Sequence, residues 1–234
     1  MTSRNYSPYK YLLAVVLVAG NTLAYADGML PETSLLIIDE ATHSGVMNLK
    51  NTNDVPLLLY TTVKDLPDDT GTKVIVTQPV VRVEPGQNQQ VRFILQTDKP
   101  LTHEHYKRVV FEGIPPKKDG KSMKISFNVE QNLPILIRPA SLTVVTDAWK
   151  YLEWSREGEK YLVKNPSKYV VRLANQVIFK PSQTSGTISK TYILPGEALP
   201  VALEKYNSGD TEVQFFPASR YGVEVPSFTS ELKQ

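Results

Sequence analysis

The hydrophobic residues of this chain fall in short runs with no sustained helical stripe. SLLII (34–38), VMNLK (46–50), PLLLYTTVKD (56–65), KVIVT (73–77), VVRVE (80–84), QQVRFIL (89–95), KRVVFEG (107–113) and MKISFNVE (123–130) follow one another, parted by turn sequences such as DDTG, EPGQ and KKDG. Short strands every 8–12 residues predict an all-β sandwich. The second half repeats the grammar in SLTVV, YLEWS, EKYLVKN, YVVRLANQVIFK, KTYILPG and EVQFF. Between the halves, Arg138-Pro139 ends a run, and the proline ring restricts the backbone. Two tandem β-sandwiches are expected, over 27–139 and 140–234. A connection near 138–141 is short enough to hold a fixed angle with a cleft at the elbow.

The first 26 residues follow another pattern. Arg4 and Lys10 precede the apolar run YLLAVVLVAG (11–20), and Ala24 and Ala26 stand at the end with A-x-A spacing. That is the form of a secretory signal peptide, and the run is shorter than the ~20 residues of a spanning helix. Cleavage after Ala26 and an exported mature chain starting at Asp27 are expected.

One stretch has a pattern with two readings. In KISFNVEQNLPILIRP (124–139), Ile125, Phe127 and Val129 alternate with Lys124, Ser126, Asn128 and Glu130. Periodicity alone fits a strand that turns its apolar face into its own core. Pro134 argues for an edge strand, because proline cannot donate to a ladder. An apolar edge strand is an aggregation liability unless it serves to pair with a partner.

Composition removes several functions. The chain has no cysteine, which excludes thiolate catalysis, thiolate metal sites and disulfide exchange. A net charge of +2 gives no reason to expect nucleic acid or an anionic membrane as partner. Of the three histidines (His43, His103 and His105), His103 and His105 share a strand face, but no third ligand has a recognisable spacing. They read as exposed loop residues, and no metal or other cofactor is expected. Lys117, Lys118 and Lys121 read as a solvated hairpin tip. No nucleophile–base pattern or phosphate loop is present, so an enzyme is not expected.

Several segments together resemble the periplasmic chaperones of the chaperone–usher pathway. They are GVMNLKNTND (45–54), VTQPVVRVEPGQNQQVRFIL (76–95), YKRVVFEGIPP (106–116), LPILIRP (133–139), NPSKYVVRL (165–173) and YILPGE (192–197), in the family's order and spacing. The resemblance implies two immunoglobulin-like domains in a boomerang, pilus (fimbrial) subunits as clients and an outer-membrane usher as the acceptor. It also implies donor-strand complementation, in which a chaperone strand fills the groove of an incomplete subunit sandwich. The donor side chains would be Ile125, Phe127 and Val129, with Leu133.

Two departures stand out. The family's usual Arg and Lys anchors for the subunit carboxylate fall on Leu35 or Leu36 and on Pro134. Arg108 matches the anchor position of divergent branches, and Lys124 is the next candidate. Of the inter-domain charge network, Arg82 and Glu104 match two members, but Arg220 replaces the third, an acid. The competing function is a secreted adhesive or carbohydrate-binding module, which would present exposed aromatic rings on one platform.

Overall fold

The computed structural model describes residues 28–69, 71–116, 130–219 and 225–233. The first body contains β1 (Met29–Pro31), β2 (Leu36–Asp39), β3 (Ser44–Asn51), β4 (Leu57–Lys64), β5 (Lys73–Val76), β6 (Val80–Val83), β7 (Asn88–Gln96), β8 (His105–Ile114) and β9 (Glu130–Arg138). The second contains β10 (Glu153–Glu157), β11 (Lys160–Lys164), β12 (Val171–Arg172), β13 (Gln176–Lys180), β14 (Thr184–Ile188), β15 (Tyr192–Ile193), β16 (Ala198–Leu203), β17 (Glu212–Phe215) and β18 (Phe228–Lys233). A short 3₁₀ turn, Ala148–Tyr151, leads into β10.

The first body is ordered β5-β7-β3-β2-β9-β8-β4-β6, with β1 on the far flank of β3. β2 meets β3 at one pair, Asp39 with Ser44, and runs parallel to β9 from Leu36–Ile135 to Asp39–Arg138. The opening segment therefore pairs with one layer through β1 and with the other through β2. Period-two alternation packs the core: Val91, Phe93 and Leu95 of β7 face Met47, Leu49, Leu59, Val109, Phe111, Ile135 and Ile137.

In the second body β10-β11-β16-β14-β13-β17-β18 closes on itself through a parallel pairing of β10 with β18 at Trp154–Leu232 and Ser155–Lys233. Its core is more aromatic. Trp154 packs on Phe215 with ring centroids 5.2 Å apart, and Tyr161 on Phe179 at 4.2 Å.

Both bodies use the same asparagine bracket. Asn51 is fully buried, and its Nδ2 donates to Val55 O at 3.0 Å and Val83 O at 2.9 Å while its Oδ1 accepts from Asn53 N. Asn165 is also fully buried; its Nδ2 donates to Tyr169 O at 2.7 Å and Ile193 O at 3.0 Å, and its Oδ1 accepts from Ser167 N. Each asparagine carbonyl then accepts the N–H of a turn glycine, Gly86 or Gly196, held at φ 71° and 77°. Positive φ is the reason those turns carry glycine.

Candidate functional site: a half-free strand beside an inter-domain joint

β9 pairs with β8 along its whole length, from Glu130–Glu112 to Ile137–His105. On its other flank it pairs with β2 only from Ile135 to Arg138. Among the described residues, Glu130–Pro134 thus has an unpaired edge, and Pro134 is the last residue before β2 joins. The proline expected to mark an edge stands at the boundary between free and paired strand.

Alternation divides the side chains of β9. Ile135 and Ile137 point into the first core, and Leu133 packs against the same cluster. Leu133 is only partly buried and lies on the half of β9 whose second flank is unpaired among the described residues. It shares the inward face with Ile135 and Ile137, two and four residues on. Leu136, on the opposite face, belongs to a cluster with Leu35, Tyr106, Val170 and Leu194 that joins the two bodies. Ile125, Phe127, Val129 and Lys124 lie outside the described residues, as do Lys117, Lys118, Lys121 and Arg220.

Arg108 sits on the same outer face, opposite Pro134. Its Nε donates to Asn132 Oδ1 at 2.8 Å and its Nη2 to Asn132 O at 2.6 Å, so the guanidinium holds the free half of β9 from the neighbouring strand. Its neighbour Lys107 turns the other way, with Val109 and Phe111. The Lys107 side chain is 1% exposed and its Nζ donates to the exposed Asp65 carboxylate at 2.7 Å.

The joint beside this strand is polar as well as apolar. Glu104, 1% exposed, donates its backbone N–H to Lys168 O at 2.9 Å and accepts the Val170 N–H on Oε2 at 2.8 Å. Tyr106 packs on Tyr192 at 4.8 Å. Glu40 takes the N–H groups of Leu101 and Ala140 at 2.7 and 2.8 Å, and Asp39 pairs with Arg138 at 2.5 Å.

The turn after β4 supplies three carboxylates in five residues. Asp65 holds Lys107, Asp69 accepts from His105 Nδ1 at 2.5 Å and from the Tyr106 N–H, and Asp68 reaches Lys190 of the second body. Lys190 also bonds Glu197. Burial opposes the Lys190 charge, but the bonds to Asp68 and Glu197 outweigh it, and the ammonium pKa is raised.

Two expectations are corrected here. Arg82 is not at the joint. It is exposed, pairs with Glu84 on Nε at 2.8 Å, and lies beside Leu58, which pairs with Ile114. That is the end of β8 farthest from the joint, roughly 30 Å along the strand. His105 is not an exposed loop residue; it is buried on β8, with the His103 ring 4.6 Å away. Burial, then the His105 charge, lowers the His103 pKa, against a smaller opposite effect of Asp69. Among the described residues no cluster of three or more His, Cys, Asp or Glu has metal-binding geometry, and no helix is long and apolar enough to cross a membrane.

Residues 28–143 match the N-terminal domain of the pili and flagellar-assembly chaperones of the PapD type, and residues 147–229 match the C-terminal domain of the PapD pili-assembly chaperones. The chain belongs to this family of pilus-assembly chaperones. It is 47% identical to the uncharacterized fimbrial chaperone YhcA of Escherichia coli K12, over 96% of this chain and 99% of that protein. It is 28% identical to the chaperone PsaB of Yersinia pestis, over 69% of this chain and 64% of that one. The SafB chaperone solved with the SafA pilin of Salmonella enterica has the same fold, with a TM-score of 0.73 at 19% identity, covering 89% of this chain and 98% of that one. The Escherichia coli chaperone DraB superposes at 0.70, also at 19% identity, over 88% and 99% of the two chains. The protein is thus a pilus-assembly chaperone with two immunoglobulin-like domains, and the adhesive or sugar-binding alternative is not favoured.

Proposed function

We propose that this chaperone completes a pilus subunit by lending it the strand that runs into β9, and then passes the subunit to an outer-membrane usher. The unpaired edge of Glu130–Pro134 carries this reading, because it offers a ladder position directly after the alternating segment Lys124–Glu130. Ile125, Phe127 and Val129 are the donor side chains, with Leu133 next on the same alternating face. Burial of each contributes ~1.5–3 kcal/mol gross, before the ordering of the segment is subtracted.

Arg108 serves as the carboxylate anchor only by sharing its guanidinium with Asn132. It therefore orders the free edge and binds the client from one position. Lys124 is the alternative anchor. The chain works in the periplasm after cleavage behind Ala26, and N-terminal sequencing of exported protein that begins at Asp27 checks this.

The main test is Phe127→Ala, co-expressed with a pilus subunit. The free protein keeps its melting temperature within a few degrees, because an edge side chain has few contacts to lose. Subunit capture falls sharply. A fall of ~3–5 kcal/mol in stability with capture preserved would place Phe127 in the core and end the donor-strand reading.

A further inference from the structure

The second domain carries an unpaired strand edge of its own. β18 pairs with β17 from Phe228–Phe215 to Glu231–Glu212, but it reaches β10 only at Leu232 and Lys233. Before that point the two walls diverge. A groove of about 800 Å³ opens between β18 and the 3₁₀ turn that leads into β10. Leu232 gives its N–H to Thr211 O on the β17 side. Antiparallel alternation then turns the Thr229 N–H and C=O and the Glu231 N–H away from β17, toward the groove. Among the described residues no strand pairs with them.

The lining suits a polypeptide strand. Tyr151 stacks on Tyr169 at one wall with an interplanar angle of 16°, and Phe228 stands at the other. Trp154, at the narrow end, is wholly buried, and its indole N–H has no acceptor among the described residues. Lys150 and Lys233 are neutralised by Asp147 and Glu153. Among the described residues, Lys168, next to Tyr169, and Glu231, next to Leu232, also line the groove and take part in no ion pair.

We propose that this groove binds an extended polypeptide segment as an added strand on the Thr229–Glu231 edge. The segment alternates apolar and polar residues, with an acidic residue toward Lys168 and a basic one toward Glu231. The binding is separate from the β9 edge and does not depend on the donor-strand reading.

The probe is a heptapeptide alternating valine and threonine, with glutamate at one end and lysine at the other, titrated into the mature protein and followed by the Trp154 indole N–H resonance. Saturable displacement of that resonance is expected. Thr229→Pro removes a groove-facing N–H while leaving the β17 ladder intact, and weakens binding at least about tenfold. Tyr151→Ala weakens it by about three- to tenfold. Ile125, Phe127 and Val129 replaced together by alanine leave peptide binding unchanged, which separates this site from the first. No displacement at millimolar peptide, equal binding by Thr229→Pro, or displacement by a chito-oligosaccharide in place of the peptide would overturn the proposal.

Discussion

The two domains share a bracket and differ in how they end. Asn51 and Asn165 make the same pair of Nδ2 bonds to buried carbonyls, and each asparagine carbonyl is capped by a glycine turn. Yet, among the described residues, the first domain leaves half of its last strand unpaired on one flank, whereas the second joins its last strand to its first through Trp154–Leu232. The shared bracket stabilises the fold, and the difference lies in the final strand. An edge is expensive to keep, which supports the proposal that the domain keeping the longer one is the domain that pairs with a client.

Breaking the bracket gives the largest effect and tests whether the domains are equivalent where they look alike. Asn51→Ala and Asn165→Ala each leave two buried carbonyls without a donor and should each destabilise their own domain by about 3–5 kcal/mol in urea unfolding. A loss under about 1 kcal/mol for either would show that the bracket is not equivalent in the two domains.

Glu104→Ala comes next. It removes the carboxylate that takes the Val170 N–H, and should weaken domain coupling by about 1.5–3 kcal/mol. The readout is a split unfolding transition and a wider distribution of inter-domain distances in solution scattering. Arg82→Ala should change neither, since Arg82 lies at the far end of the first domain.

The smallest effect is on pH dependence. The folded His103 binds its proton less readily than the unfolded residue, so its contribution to stability is present above the ordinary histidine pKa and is lost as pH falls through the lowered folded value. His103→Gln should flatten the loss of stability below about pH 6.5 by a degree or so in Tm, because the ring is largely solvent-screened.

What the sequence disclosed was local. Strand runs, the glycine turns and the Arg138-Pro139 joint are written in adjacent residues, and Pro134 correctly marked a change along β9. What it concealed depends on distance. Asp68 and Lys190 are 122 residues apart, and nothing in either segment names the other. DDTG reads only as a turn, though Asp65, Asp68 and Asp69, three aspartates in five residues, are a signal that such a turn grips several partners. Arg82 was assigned to the joint by likeness alone, whereas the register of β6 against β4 puts it at the opposite end.

The parallel contact of β2 with β9 has a consequence for the order in which the chain acquires its shape. Asp39 and Arg138 are 99 residues apart, and the apolar Leu36 and Ile38 are covered only when Ile135 and Ile137 arrive. A chain emerging from its N-terminus must therefore hold an unfinished first domain until nearly all of it has appeared, because loop closure over that span precedes any return from contact. For that interval the chaperone is in the condition of its own clients, an immunoglobulin-like domain waiting for its last strand.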